Sequence, residues 1–450
     1  TVNQVGDKFV SYTKGALDML LCRCTHILLN GKKTKILPEH IEAIKSANSD
    51  MAGKALRVLA FAYREFDELN EKEDFEHNMI FLGLVGMIDP PRPETIEAIK
   101  KCFNASLKPI MITGDHAETA FAIAKELGIA NKKTQVITGE QLNKMSDNDL
   151  LDKINKYSVF ARVSPDHKVR IVKAFQKQGK VVAMTGDGVN DAPSLKIADI
   201  GVGMGITGTD VTKDVADMIV SDDNFATIII AVEEGRKIYA NIQKTIQFLL
   251  STNAVEVVTL FLACIFLPQY TFLVPSQLLF INFITDSLPA IALGLEPAEK
   301  DIMERPPRKN SSNILSDGVG VKILYQAAIQ IVILMIMYVM ALRFYSNIVA
   351  TTMVFYTLNF IQLFHSFNLK TYHSLTKINI FRNKTFNYSF LIGTGLVLMV
   401  AFVPFLTRIF GLTSLSLVQW LIVAGCSISI IPLVELAKFI EDKIKIERIK

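Results

Sequence analysis

From residue 246 almost to the C-terminus, about six apolar stretches follow one another, each long enough to cross a bilayer: 246–267, 274–295, 321–343, 351–369, 387–406 and 415–437. Backbone groups surrounded by hydrocarbon must find partners within their own segment, so this part of the chain is confined to helices and predicts an all-α transmembrane bundle of six. An even number of spans returns the chain to its starting side. Lys300, Arg305, Arg308 and Lys309, then Lys370, Lys377, Arg382 and Lys384, then the tail from Lys438 to Lys450 fall on one side, against only Arg343 and Arg408 opposite. The positive-inside rule therefore predicts a multi-pass integral membrane protein with its soluble domains and C-terminus cytoplasmic, and the cell membrane is the expected location.

The first 240 or so residues alternate short apolar runs with charged helical stretches, which predicts an α/β region. With 50% hydrophobic and 20% charged residues in a chain of 450, disorder and a wholly soluble fold are both excluded. Such a length accommodates about three units at roughly 150 residues each. The balance of 48 Lys and Arg against 44 Asp and Glu leaves no polybasic surface, so no nucleic-acid partner is expected. Cys22, Cys24, Cys102, Cys264 and Cys426 are scattered without CxxC or Cys/His spacing, which predicts reduced thiols and no structural zinc. The opening TVNQVGDKFVSY has neither a basic nor an apolar leader region, and the sequence reads as one that starts partway through a longer protein.

Three apolar runs, FLGLVGMID (81–89), LKPIMITGD (107–115) and KVVAMTGDGVND (180–191), end in Gly and Asp, which predicts carboxylates at the carboxyl edge of a parallel sheet, where ligands bind. In MTGDGVND, Asp187 and Asp191 flank a glycine turn suited to a shared divalent cation with backbone amides near phosphate; the bland alternative is an acidic loop capping a helix. Thr113 ends a strand with a hydroxyl and neighbouring amides suited to a phosphoryl oxygen. Lys168 offers positive charge for a transition state, against the alternative of a solvated helix lysine.

The membrane half carries its own chemistry. Asn253 and Glu256 share a face of the first span, and Asn282, Thr285 and Asp286 share a face of the second, where Pro289 frees backbone groups. Two acids with three neutral oxygen donors and no Cys or His suit a hard cation such as Ca²⁺, with Mn²⁺ as an alternative. Polar residues merely joining helices explain Asn253 or Thr285 singly but not two acids.

The segments MITGDHAETAFAIAKELGI, VFARVSPDHKVRIVKAFQ and VVAMTGDGVNDAPSLKIADIGVGMG resemble the phosphorylation domain of P-type cation ATPases, a haloacid-dehalogenase-like fold. The resemblance runs over nearly the whole chain. It implies catalytic roles for Thr113, Gly114, Asp115, Lys168, Asp187, Asn190 and Asp191, with Mg²⁺ at Asp187. It also implies ATP contacts at Lys14, Gly15 and Arg57 together with Thr113, Gly114, Asp115 and Lys168. The implied organisation is the C-terminal part of an α+β nucleotide-binding domain over 1–87, the phosphorylation domain over 88–237, a transport domain over 238–440 and a basic tail over 441–450, with IDPPRPET (88–95) as hinge.

The first two spans resemble the ion-binding fifth and sixth helices of calcium pumps, which implies Asn253, Glu256, Asn282, Thr285 and Asp286 as ligands of the transported ion. Gln362 stands where two-site calcium pumps carry glutamate, and His365 reads as a packing residue. The family's phosphorylated Asp-Lys-Thr-Gly-Thr segment occurs nowhere in these 450 residues, nor does the actuator domain's Thr-Gly-Glu loop with its four preceding helices. The expectation is the C-terminal half of an ATP-driven Ca²⁺ pump, inactive without the other half. The rivals are a pump for another divalent cation, a membrane-tethered phosphatase, and a truncated non-transporting chain that binds nucleotide or partners.

Overall fold

The computed structural model describes residues 1–54, 56–67, 74–87, 91–308, 313–316 and 318–449, without the side chains of 442 and 445–449. Residues 88–90 of the expected hinge, together with Lys309 and Lys450 of the charge pattern, lie outside the described residues. The chain divides into two compact units, Thr1–Ile230 with Met303–Asn310, and Ala231–Ile302 with Ser311–Lys450.

In the first unit, strands β1 (Val2–Val5), β2 (Lys8–Gly15), β3 (Cys24–Leu29), β4 (Lys32–Lys35), β5 (Arg57–Phe66) and β6 (Met79–Met87) form one mixed sheet in the order β1-β2-β5-β6-β3-β4. Period-2 alternation buries Ala60, Ala62 and Phe81 against Leu20, Leu21 and Ile44 of the helices Leu17–Leu21 and Pro38–Gly53. The sequence pattern of FLGLVGMID sets it beside the two other Gly-Asp strands. Instead this run belongs to β6, antiparallel to β5 and parallel to β3. Its partner β5 pairs along nearly its whole length, from Arg57↔Met87 to Tyr63↔Ile80, and that ladder satisfies far more backbone than a short parallel neighbour could.

The other two runs keep their expected places. Strands β7 (Met111–Ile112), β8 (Val136–Thr138) and β9 (Val159–Ala161) form a parallel sheet, as do β10 (Ala183–Gly186), β11 (Ile200–Met204) and β12 (Met218–Val220). Helix Pro165–Lys177 joins the two cores. Its Ile171 and Phe175 belong to one cluster and Val172 to the other, and Ile112 and Val182 pack against both. The β7 and β10 edges therefore face a common interior.

Six helices or helix pairs match the expected spans, the first entering from the end of the first unit: Phe225–Phe266, Pro275–Gly294, Val319–Phe344, Asn347–Asn368, Lys384–Phe402 and Leu417–Glu441. The first is a single 42-residue helix that starts well before its apolar part. The second is interrupted: α-helical over Pro275–Phe280, π-helical over Ile281–Asp286, and α-helical again over Ser287–Gly294. Single-turn π segments mark functional positions in helices. The fourth span is the axis of the bundle, 78% buried where the others reach at most 44%. Its own Phe355, Tyr356, Leu358 and Ile361 are buried in one hydrophobic cluster with side chains of the neighbouring helices, and Tyr356 stacks on Trp420 at 4.9 Å. Burial removes water as a partner for polar side chains on this helix, so any bond that they make is made inside the protein.

Candidate functional site

In the first unit, the chemistry gathers at the carboxyl ends of β7 and β10. Thr113 follows β7 and donates from Oγ1 to Asp115 Oδ2 at 2.9 Å, while its Oγ1 accepts from Asp115 N at 3.0 Å. Phe160 of β9 holds Thr113 N at 2.9 Å, and Arg162 N donates to Asp115 O at 3.1 Å, so the Thr-Gly-Asp turn is fixed by the sheet. Gly114 stands in open space.

Lys168 owes its position to a well-specified helix start. Ser164 is the N-cap and accepts from His167 N, Pro165 occupies the first turn, and His167 Nδ1 accepts from Ser164 N at 3.0 Å while its Nε2 meets Asn143 Oδ1 at 2.7 Å. The ammonium of Lys168 pairs with Asp191 Oδ1, with 18% of the Lys168 side chain exposed, so it is not the solvated lysine of the bland reading.

Asp187 and Asp191, read from sequence as a shared cation cradle, act differently. Asp191 is buried, and its Oδ2 accepts from Asp187 N and Gly188 N, both at 3.3 Å, so it folds the turn rather than facing a cation with Asp187. A Cβ at Gly186 would stand 2.4 Å from that of Asp191, which is why glycine precedes the turn. The Asp187 side chain is left exposed, with its carbonyl accepting from Thr209 N at 2.9 Å, and Asn190 is exposed beside it. Among the described residues no hydrogen bond or ion pair engages the Asp187 carboxylate, a donor set suited to Mg²⁺.

The brace behind this turn carries no signal in the sequence motifs. Asp223 accepts from Ile206 N at 3.0 Å and from Thr207 N and Oγ1 at 2.7 Å, and these bonds hold its carboxyl near about 2. The expected nucleotide residues lie on the mixed sheet: Lys14, exposed, and Gly15, half-buried, end β2 opposite Phe61 and Ala60, while the exposed Arg57 opens β5. Arg57 thus lies four residues along β5 from the partner of Lys14, roughly 13 Å at strand spacing. Its Nε stands 3.9 Å from Asp115 Oδ1, which brings the sheet to the Thr-Gly-Asp turn.

In the second unit, four of the five expected ligands meet, with Gln362 among them. Glu256 is 6% exposed; Gln362 Nε2 donates to its Oε1 at 2.9 Å and Asn282 Nδ2 to its Oε2 at 2.8 Å. Thr285 Oγ1 donates to Gln362 Oε1 at 3.1 Å. Asp286, 2% exposed, accepts at Oδ2 from Thr252 Oγ1 at 3.0 Å, whereas its Oδ1 has no hydrogen-bond partner among the described residues. A buried carboxylate oxygen without a donor is an acceptor suited to a cation. Asn253 differs: its side chain is exposed, and no described hydrogen bond joins it to this group. Thr252, one residue earlier, takes part unforeseen, since a lone threonine in an apolar helix carries no sequence signal of a partner 34 residues away. His365 is fully buried, stacked on Phe248 and 3.4 Å from Ser251 Oγ, the place of a packing residue.

Two family profiles match: "P-type ATPase, cytoplasmic domain N" over residues 1–94 and "Cation transporting ATPase, C-terminus" over residues 270–440. Among curated relatives, "Calcium-transporting ATPase 1" of Bacillus cereus is 47% identical over 96% of this chain and 51% of its own length. "Calcium-transporting ATPase" of Bacillus subtilis is 42% identical over 92% and 47%, and "Calcium-transporting ATPase type 2C member 1" of Bos taurus 38% identical over 96% and 44%. The chain spans about half the length of the curated relatives it matches. Two matched profiles bracketing the chain, and relatives aligned through both sites, establish that it belongs to the P-type cation-transporting ATPases.

Proposed function

We propose that this chain is the ATP-handling and ion-conducting half of a P-type Ca²⁺-transporting ATPase. The observation that carries the reading is the buried pair Glu256 and Asp286, partnered by amides and hydroxyls from three spans and leaving Asp286 Oδ1 without a donor among the described residues. All the donors are oxygen-bearing side chains, which favours Ca²⁺ over soft metals, and the relatives' names point the same way. On this reading Glu256, Asn282, Thr285 and Asp286 take the ion, with Gln362 at its flank, while the exposed Asn253 stands apart from them.

The haloacid-dehalogenase-like reading is supported by the parallel strands ending in Thr113 and Asp187. ATP would run from Lys14 and Gly15 past Arg57 to the Thr-Gly-Asp turn. Bound Mg²⁺ supplies charge neutralisation of the phosphates, and Asp187 would hold it. Lys168, fixed by Asp191, keeps a positive charge beside the reacting phosphoryl group, and Thr113 offers its hydroxyl. The acceptor aspartate must come from the missing Asp-Lys-Thr-Gly-Thr segment. Each of β7 and β10 has one strand partner among the described residues, and both edges pack on the same core, which supports that segment's strand running between them. Positive loops and tail support a cytoplasmic soluble half and C-terminus in a cell membrane.

Two substitutions in the protein completed with that segment test the two sites separately. Asp187→Asn should abolish phosphoenzyme formation from ATP; a normal level at saturating Mg²⁺ would overturn the soluble assignment. Asp286→Asn should raise the Ca²⁺ needed for phosphorylation from ATP by orders of magnitude, while phosphorylation from inorganic phosphate, which in this family needs the ion sites empty of Ca²⁺, survives. Unchanged Ca²⁺ dependence would remove the membrane site.

A further inference from the structure

Away from both sites, two loops of the second unit meet: residues 295–302, after the second span, and 369–374, after the fourth. We infer that Glu299, Asp301 and His373 at this junction form a binding site for a borderline divalent metal ion of the Zn²⁺ class. His373 Nε2 lies 3.2 Å from Asp301 Oδ2 and 4.0 Å from Glu299 Oε2, and one ligand atom from each residue lies within 4.8 Å of the others. Ligands about 2.1 Å from a tetrahedral zinc stand about 3.4 Å apart, so His373 and Asp301 already stand near ligand spacing and the Glu299 carboxylate closes on the same ion by a small side-chain movement.

The loops are held firmly enough to present ligands. Glu299 Oε1 is paired with Lys244 Nζ at 2.7 Å and accepts from Tyr372 N at 3.2 Å, which orients the carboxylate and leaves Oε2 toward His373. Lys244 also donates to Lys370 O at 2.9 Å, and Lys438 donates to the carbonyls of Asn368, Thr371 and His373 at 2.6, 3.2 and 3.3 Å. The backbone bearing His373 is thereby pinned by two ammonium groups, each at most 9% exposed at its side chain. On the other loop, Ile302 N donates to Glu299 O at 3.1 Å and Ile302 O accepts from Arg236 at 3.0 Å, closing the turn that carries both acids. Partners of this kind fix ligand geometry before an ion arrives.

The donor set selects the ion. One imidazole with two carboxylates suits Zn²⁺, Co²⁺ or Mn²⁺ better than Mg²⁺ or Ca²⁺, which favour all-oxygen shells, and better than Cu⁺, which seeks sulfur. Side-chain exposures of 8% for Glu299, 34% for Asp301 and 45% for His373 put the imidazole and one carboxylate within reach of solvent, the source of a metal ion. The site is independent of the transport reading, since none of its residues belongs to the Glu256–Asp286 group.

The test uses the intact 450-residue chain in detergent, its accessible cysteines alkylated so that thiolates do not compete for metal. Zn²⁺ is titrated against a chromogenic chelator in millimolar Mg²⁺ and Ca²⁺, and Co²⁺ absorption is recorded in parallel. The expected result is one tightly held Zn²⁺ per chain and a visible Co²⁺ band. His373→Gln and Asp301→Asn, neither at a fully buried side chain, should each weaken Zn²⁺ at least tenfold and bleach the Co²⁺ band while circular dichroism is unchanged. Zn²⁺ held equally by both variants, or displaced by the Ca²⁺ present, would overturn the assignment. So would wild-type protein that holds no Zn²⁺ after alkylation.

Discussion

Gln362 shows how much one side-chain atom decides. Its Nε2 donates to Glu256 and its Oε1 accepts from Thr285, so one amide reads both a carboxylate and a hydroxyl at the centre of the bundle. Glutamate here would set a carboxylate against a carboxylate at the 2.9 Å now spanned by the amide, tolerable only with a proton or a cation between them. Gln362→Glu should therefore increase bound Ca²⁺ per phosphoenzyme or shift its affinity; an inert substitution would count against its place at the ion site. The residue types of this group are legible in the sequence because two acids in apolar helices demand an explanation. Thr252 is not, nor is the Glu299–Asp301–His373 junction, whose members are joined by loop packing rather than by spacing. Asp191 is legible as chemistry but not in what it does. The motif gives its distance from Asp187, and only the fold shows that its oxygens are taken by Lys168 and two amides.

At the scale of elements, the loop 205–207 behind the Asp187 turn depends on one carboxylate. Asp223, with φ of 49°, accepts from Ile206 and Thr207, and its carboxyl is held near about 2, below the ordinary value of about 3.9. A depressed value means the folded loop favours the ionised form, so this contribution to stability is complete above about pH 4 and is lost as pH falls toward 2. Hydrogen exchange should show the amides of Ile206 and Thr207 losing protection between about pH 4 and 2 relative to the β11 amides, and Asp223→Asn should already lack that step at about pH 6. Equal protection in the two proteins would remove the brace. Spans and Gly-Asp strands are readable from hydropathy and turn chemistry, but the pairing of β6 is not, because a short apolar run carries no record of which sheet it joins. Nor can periodicity show the π-helical turn over Ile281–Asp286, which sets Asn282 toward Glu256 while Thr285 and Asp286 stay buried.

On the whole-molecule scale, a missing acceptor outweighs every residue that is present. The 450-residue chain alone should show no Ca²⁺-dependent ATP hydrolysis and no acid-stable phosphorylation, because no Asp-Lys-Thr-Gly-Thr segment supplies the covalent step. Radiolabelled ATP followed by acid quench checks this, and a labelled band would show that another carboxylate serves. Met303 adds a different constraint. It packs with Ala98, Cys102 and Ile229 in a core of the first unit, although the chain has by then passed through the first two spans. During synthesis the ribosome delivers Ala98, Cys102 and Ile229 long before the side chain that finishes their cluster. That cluster is therefore complete only once the first two spans have been made, and a gene fragment cut at Ile230 would encode an apolar patch waiting for a residue that never arrives.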